Sequence, residues 1–193
     1  MQVIKYKFRM YPTESQEKEL LQIIGSCRFV WNHFLAKEME KYESEKKFNF
    51  FSKNSGDLTM LKKSEDFGWL KEPPAVALQQ TIRNLDQALK QSFPSKKGAS
   101  RRGFPKFKKR KNFAGSFTLQ MVNSKRNIKT GKFHVAKGLD IKFTQHRELP
   151  SDFASCQIKQ ESGKWFLVLT CKKAKTLLAP SGHRFKLEGI RAE

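Results

Sequence analysis

One strand pattern opens this chain, and a long helical stretch separates it from every other strand pattern. Ile4, Tyr6, Phe8 and Met10 alternate with Lys5, Lys7 and Arg9. That is period two, a strand with one buried face and one cationic face. A lone strand leaves its backbone donors and acceptors unpaired, so it must find partners further along the chain. Whatever lies between it and those partners is therefore an insertion.

Tyr11-Pro12 ends the strand, and Thr13 caps a helix with Gln16 three residues on as its capping-box partner. Leu20, Leu21, Ile23 and Ile24 form the apolar side, and Gly25-Ser26 reads as a break or bend. A second helix carries Cys27, Val30, Trp31, Phe34, Leu35, Met39 and Tyr42 at spacings of three and four. It fades into the charged stretch 43–47. A short helix is expected over 55–63, with Leu58 and Leu61 facing inward. Pro73-Pro74 opens a fourth, whose buried stripe is Leu78, Ile82, Leu85, Leu89 and Phe93 and which Pro94 stops. Gln79, Gln80 and Arg83 fall off that stripe and stay free for contacts.

The pattern then returns to strands, near 116–120, 127–129, 132–135, 140–144, 155–160 and 165–171. Lys129-Thr130-Gly131, Lys137-Gly138 and Ser162-Gly163 mark the turns between them. The simplest α+β architecture is a small β-barrel interrupted by an inserted helical domain after its first strand. Its parts are a first barrel strand in 1–11, a helical recognition domain in 12–93, a basic linker in 94–115 and the remaining barrel strands in 116–171. Residues 172–193 show no clear periodicity and read as a tail.

Charge is concentrated in the middle. Residues 1–93 carry +3, residues 94–147 carry +15 with Asp140 as the one acid, and residues 148–193 carry +3. Such a block repels itself unless a polyanion neutralises it, and nucleic acid is the expected partner. With 38% hydrophobic residues and 17 Phe the chain also has material for a core. No apolar run reaches the roughly 18–20 residues of a membrane span, and the charged N-terminus is no secretory signal. Cys27, Cys156 and Cys171 lie far apart without C-x-x-C spacing, so neither a disulfide framework nor a zinc ribbon is supported. A reducing cytoplasm, with nucleoid association, is the expected setting.

Catalytic chemistry finds little support. His33, His134, His146 and His183 are scattered without H-E-x-x-H spacing, and neither a Walker loop nor G-x-S-x-G occurs. The acids on the helix faces at 14–19 and 38–45 read as solvated i,i+4 partners of nearby cations. No catalytic residue, metal ligand or cofactor is assigned.

Binding is better marked. Arg101, Arg102, Lys106, Lys108, Lys109, Arg110 and Lys111 are candidates for phosphate or RNA backbone, giving affinity and salt dependence without reading sequence. Phe104 and Phe107 either stack on bases or anchor the linker to the barrel. Gln79 and Gln80 could reach base edges from a helix whose other side is buried, or simply be solvated. Trp31 and Trp165 lie in apolar patterns and are expected in the core.

The segments KYKFRMYPTESQEKEL, GSCRFVWNHFL, DLTMLKKSEDFGWLKEPPAVALQQTIRNLDQALKQSF, RRGFPKFKKRKN and SFTLQ follow one another in this order. Over residues 3–171 they closely resemble the N-terminal half of TnpB, the OrfB family of insertion-sequence proteins, whose N-terminal region is described as helix-turn-helix. The resemblance implies a wedge-type β-barrel interrupted by a helical recognition domain. It also implies partners: a guide RNA made from the transposon end, held by the barrel and its basic surroundings, and double-stranded DNA with a short target-adjacent motif. Carried over by position, Phe51, Ser55, Gln79 and Thr118 match places where the family touches that motif, with Phe51 where a tyrosine is common. Family members are RNA-guided DNA nucleases that continue into a RuvC-like domain with catalytic acids and a four-cysteine zinc ribbon. The sequence in hand stops before such a domain. The expectation is thus a truncated, nuclease-deficient TnpB-like binder that could compete with full-length TnpB for guide RNA. The alternative is a guide-free helix-turn-helix regulator, whose helix pairs would join at Gly25-Ser26 or near 69–74.

Overall fold

The computed structural model describes residues 2–93, 103–110, 115–120, 128–129, 131–149, 153 and 155–173. Arg101, Arg102 and Lys111, and the tail beyond 173, lie outside the described residues. Among the described residues, seven strands form one antiparallel sheet: β1 Gln2–Tyr11, β2 Ser116–Gln120, β3 Ile128–Lys129, β4 Lys132–Ala136, β5 Leu139–Thr144, β6 Ser155–Glu161 and β7 Lys164–Lys173. Their order across the sheet is β2-β6-β7-β1-β5-β4-β3, so β1 is central despite its isolation in the sequence. It pairs with β7 from Gln2↔Lys173 to Met10↔Trp165 and with β5 from Arg9↔Thr144 to Tyr11↔Lys142. The sheet curls into a half-barrel.

Period-two alternation sets the inner face. Phe8 and Met10 of β1, Trp165, Leu167 and Leu169 of β7, Ile158 of β6, Phe117 and Leu119 of β2, and Ile141 and Phe143 of β5 are all buried there. The β6–β7 hairpin closes through Ser162 (φ 48°) and Gly163 (φ 70°), left-handed positions that match the twist of paired strands. The three cysteines are buried. Burial pushes the Cys27 thiol up to about 11 and raises Cys156 further, so both sit in the core as neutral groups.

Between β1 and β2 the described residues form three α-helices: α1 Glu14–Glu45, α2 Phe51–Leu61 and α3 Ala75–Ser92, with a 3-10 turn at Gly68–Lys71. The capping box expected at Thr13 is present: Gln16 N–H donates to Thr13 Oγ1 at 3.3 Å, and Thr13 N–H donates to Gln16 Oε1 at 3.1 Å. Gln16 also donates to the Asp140 carbonyl at 2.9 Å, and Gln160 donates to Glu17 at 2.9 Å, tying the start of α1 to β5 and β6.

The break expected at Gly25-Ser26 does not occur; α1 is one helix of 32 residues. Its buried stripe runs unbroken through Leu20, Ile23, Ile24, Cys27, Val30, Trp31, Phe34 and Leu35. Ser26 donates its hydroxyl to the Gln22 carbonyl at 2.9 Å and is itself buried. Continuous packing along that stripe outweighs the roughly 1 kcal/mol penalty of a mid-helix glycine.

A second correction concerns the acids of α1. Glu38 is not solvated but fully buried. It accepts from the Asn49 backbone N–H at 2.7 Å and from Asn54 Nδ2 at 2.8 Å. Asn49 itself accepts from Lys41 Nζ at 2.6 Å. The carboxylate thereby fixes the connection between α1 and α2.

Candidate nucleic-acid interface

Three features carry the charge and the expected contacts: the α2–α3 pair, the basic segment and the outward face of the sheet.

On the α2–α3 pair, Phe51 begins α2 and lies under the Arg83 guanidinium, 4.0 Å from its ring centroid. Ser55 follows one turn later, half-buried, and Gln79 stands exposed on α3 one turn before Arg83. The structure therefore gathers Phe51, Ser55 and Gln79 on one helix pair. Arg83, expected to be free, is engaged by the Phe51 ring, a cation–π contact. Gln80 donates to Asn84 at 2.9 Å along its own helix.

The basic segment, without helix or strand at 103–110, is fastened to α1 at Trp31 and Asn32. Trp31 Nε1 donates to the Lys106 carbonyl at 3.1 Å. Asn32 donates to the Lys108 carbonyl at 3.0 Å and accepts the Lys108 N–H at 2.8 Å. The Lys108 ammonium sits 3.8 Å from the Trp31 ring centroid. Burial draws its pKa below the usual lysine range, with nearby Cys27 acting weakly the other way. Phe104 is partly buried against the core, 6.2 Å from the Phe48 ring and 6.3 Å from Phe93. Phe107, Lys106, Lys109 and Arg110 are exposed. Trp31 and Trp165 are buried as expected, and Trp31 adds a polar role through its indole N–H.

The outward face of the sheet follows from register. Ser116, Lys159, Phe166, Arg9 and Thr144 lie side by side across β2, β6, β7, β1 and β5. The next row is Thr118, Gln157, Val168 and Lys7. Tyr11, Lys142 and Lys132 make a third. Thr118 thus belongs to this face. The Phe166 ring has Lys7 Nζ at 4.0 Å and Arg9 Cζ at 5.4 Å from its centroid. Hydrogen bonds from Lys159 and Lys7 hold exposed Glu161 below the usual carboxylate range. His134 meets Asp140 at 2.6 Å.

The sequence pattern marked the cationic face of β1 but not Phe166, Lys159 or Lys142 beside it, because only register makes them neighbours. Among the described residues, no cluster of three or more His, Cys, Asp or Glu could hold a metal ion, and no helix is long and apolar enough to cross a membrane.

Comparison with known proteins agrees with the motif order. A model of the OrfB/IS605 group, described as a helix-turn-helix domain, matches residues 1–47. A candidate RNA-guided DNA endonuclease of Streptomyces pristinaespiralis is 30% identical over 184 residues, covering 91% of this chain. InsQ of Escherichia coli (strain K12), also a candidate RNA-guided DNA endonuclease, is 28% identical over 185 residues, covering 95%. The chain belongs to the TnpB/OrfB family. It matches the N-terminal half and spans 44% of the length of each of these relatives. Among solved structures, the Cas12f1–sgRNA–target DNA complex aligns over 90% of this chain and 49% of that one, at 16% identity and a TM-score of 0.41. Within residues 1–47, the part matched as helix-turn-helix, lie β1 and the unbroken α1.

Proposed function

We propose that this TnpB/OrfB-family chain is a nucleic-acid-binding unit that holds guide RNA on the outward face of its sheet and the exposed basic segment. In this reading the half-barrel is the wedge element, and duplex DNA with a short target-adjacent motif meets the α2–α3 pair through Gln79. The observation that carries the reading is the outward sheet face. There Lys7, Arg9 and Lys159 surround Phe166, within rows that also present Ser116, Gln157, Thr118 and Thr144. Cations neutralise phosphates, the half-buried Phe166 ring offers an apolar face to a base of any identity, and hydroxyl and amide groups meet sugars and base edges.

The helix pair of a guide-free regulator loses its first location, since α1 runs through Gly25-Ser26 without a turn. Cleavage is not part of this proposal; binding is. A binder of this kind would compete with a full-length relative for guide RNA, so co-expression should lower that relative's target cleavage.

Expressing the chain with its flanking transposon-end sequence and sequencing the RNA that co-purifies tests the reading. Enrichment of one discrete RNA from that end supports it. A folded protein that recovers only random RNA refutes guide recognition.

A further inference from the structure

Residues 103–110 make no helix or strand, yet their backbone is held along its length by side chains of α1 and α3. Ser92 Oγ donates to the Gly103 carbonyl at 3.3 Å. Trp31 holds the Lys106 carbonyl, and Asn32 holds both polar groups of the Lys108 backbone. The Asn32 amide therefore plays the part of a neighbouring strand, which also offers one donor and one acceptor to the residue opposite. Lys108 folds back over Trp31, with its ammonium on the indole face rather than in solvent. Lys106, Lys109 and Arg110 remain exposed, and Phe107 is 48% exposed among them.

We propose that Trp31 and Asn32 form a backbone clamp that removes Lys108 from the phosphate-binding set and presents Lys106, Lys109 and Arg110 as the segment's phosphate contacts. The proposal rests on the reading that this segment binds nucleic acid, and it divides one basic run into an anchor and three ligands. Asn32 is a positioning residue in this scheme. It touches no ligand, but it orders the segment during folding, so the ordering entropy is not lost again on binding.

The test uses the whole chain, a short fluorescent single-stranded RNA of mixed sequence, a salt titration, and limited trypsin digestion of the free protein. Replacing Lys106, Lys109 and Arg110 together with Ala should lower the slope of log K against log salt by about 2, at roughly 0.7 per phosphate contact on a single strand. Lys108→Met keeps an apolar chain over Trp31, so it should leave the slope unchanged. Asn32→Ala should also leave the slope unchanged, weaken binding about tenfold through lost pre-organisation, and speed trypsin cleavage after Lys106, Lys108 and Lys109. A merely structural loss would instead speed cleavage throughout the chain.

A Lys108→Met slope reduced by as much as a single Lys109→Ala slope would overturn the proposal. So would an Asn32→Ala protein cut by trypsin at the wild-type rate. If the wild-type chain bound no RNA at all, the functional reading would fall. The digestion comparison would still decide the clamp, because it needs no ligand.

Discussion

Glu38 offers the sharpest test of the helical unit. Its carboxylate is fully buried, and both of its oxygens are used, one by the Asn49 N–H and one by the Asn54 amide. Glu38→Ala strands both donors in the interior. Each stranded donor costs about 1–3 kcal/mol, so the pair sets a ceiling near 6 kcal/mol. Relief of the carboxylate's own desolvation works against that loss. A net destabilisation of about 3 kcal/mol results, which for a chain of this size lowers the melting temperature by about 6–12 °C. The loss should begin locally, so amide exchange should accelerate first across the connection at 46–50 and through α2.

Glu38→Gln separates hydrogen bonding from charge. Gln can still accept from Asn49 N–H, but its amide nitrogen would then meet the Asn54 amide nitrogen. Among the described residues, Asn54 Oδ1 has no hydrogen-bond partner. A flip of the Asn54 amide brings that oxygen to the new donor and restores the pair. The change from charged to neutral hydrogen bonds leaves a cost of about 1 kcal/mol. Urea unfolding of the three proteins at neutral pH gives the ranking. If Glu38→Ala falls within about 1 kcal/mol of wild type, or Glu38→Gln is as damaged as Glu38→Ala, the carboxylate is not organising this connection.

Gln79→Ala should weaken motif-specific duplex binding by about 1–3 kcal/mol and leave scrambled DNA unaffected; equal loss on both by fluorescence anisotropy would remove its base-reading role. Phe166→Ala should lower single-strand affinity by about 1–3 kcal/mol through lost stacking, with Phe166→Tyr retaining it. Equal affinities for all three proteins would show that the sheet face does not stack bases. Gly25→Ala should stabilise the fold by about 0.4–1 kcal/mol, because Ala is the better helix former there. A Cβ at Gly25 meets nothing within 4 Å. If a turn forms at Gly25 when DNA binds, the same substitution will weaken binding; unchanged binding with higher thermal stability supports the single helix.

Strand positions were legible because each strand has its own local signature. Alternation placed β2 at its observed bounds and the other strands within a few residues, and glycine-bearing turns separated them. That β1 pairs with later strands followed from its isolation, since an unpaired strand has only later strands to join; its central place is given by the sheet order alone. Gly25-Ser26 misled because local propensity was weighed above phase. Ile23, Ile24, Cys27 and Val30 keep one helical register across it, and a shared stripe implies a shared helix. Glu38 carried a similar signal. It stands four residues after Phe34, on the apolar stripe itself, where a solvated acid has no place.

The binding features were less legible because their parts come from distant stretches of chain. Asn32 reaches Lys108 across 76 positions, and no local pattern encodes which polar residue of a helix will receive a passing backbone. Asparagine is a weak helix former, and its position beside Trp31 was the only hint that its side chain had work elsewhere. Phe166 shows the same limit. Alternation puts it opposite the buried Trp165 and Leu167, but its meaning comes from Arg9 and Lys159 on the flanking strands, which are neighbours only through register. A run of seven cations reads as one electrostatic unit in sequence. Once its backbone is fastened, each side chain acquires a direction, and adjacent lysines can do different things. Lys108 lies on an indole while Lys109 faces solvent. Counting basic residues therefore gives only the sign of a partner, whereas the contacts of α1 distinguish Lys108 from its neighbours.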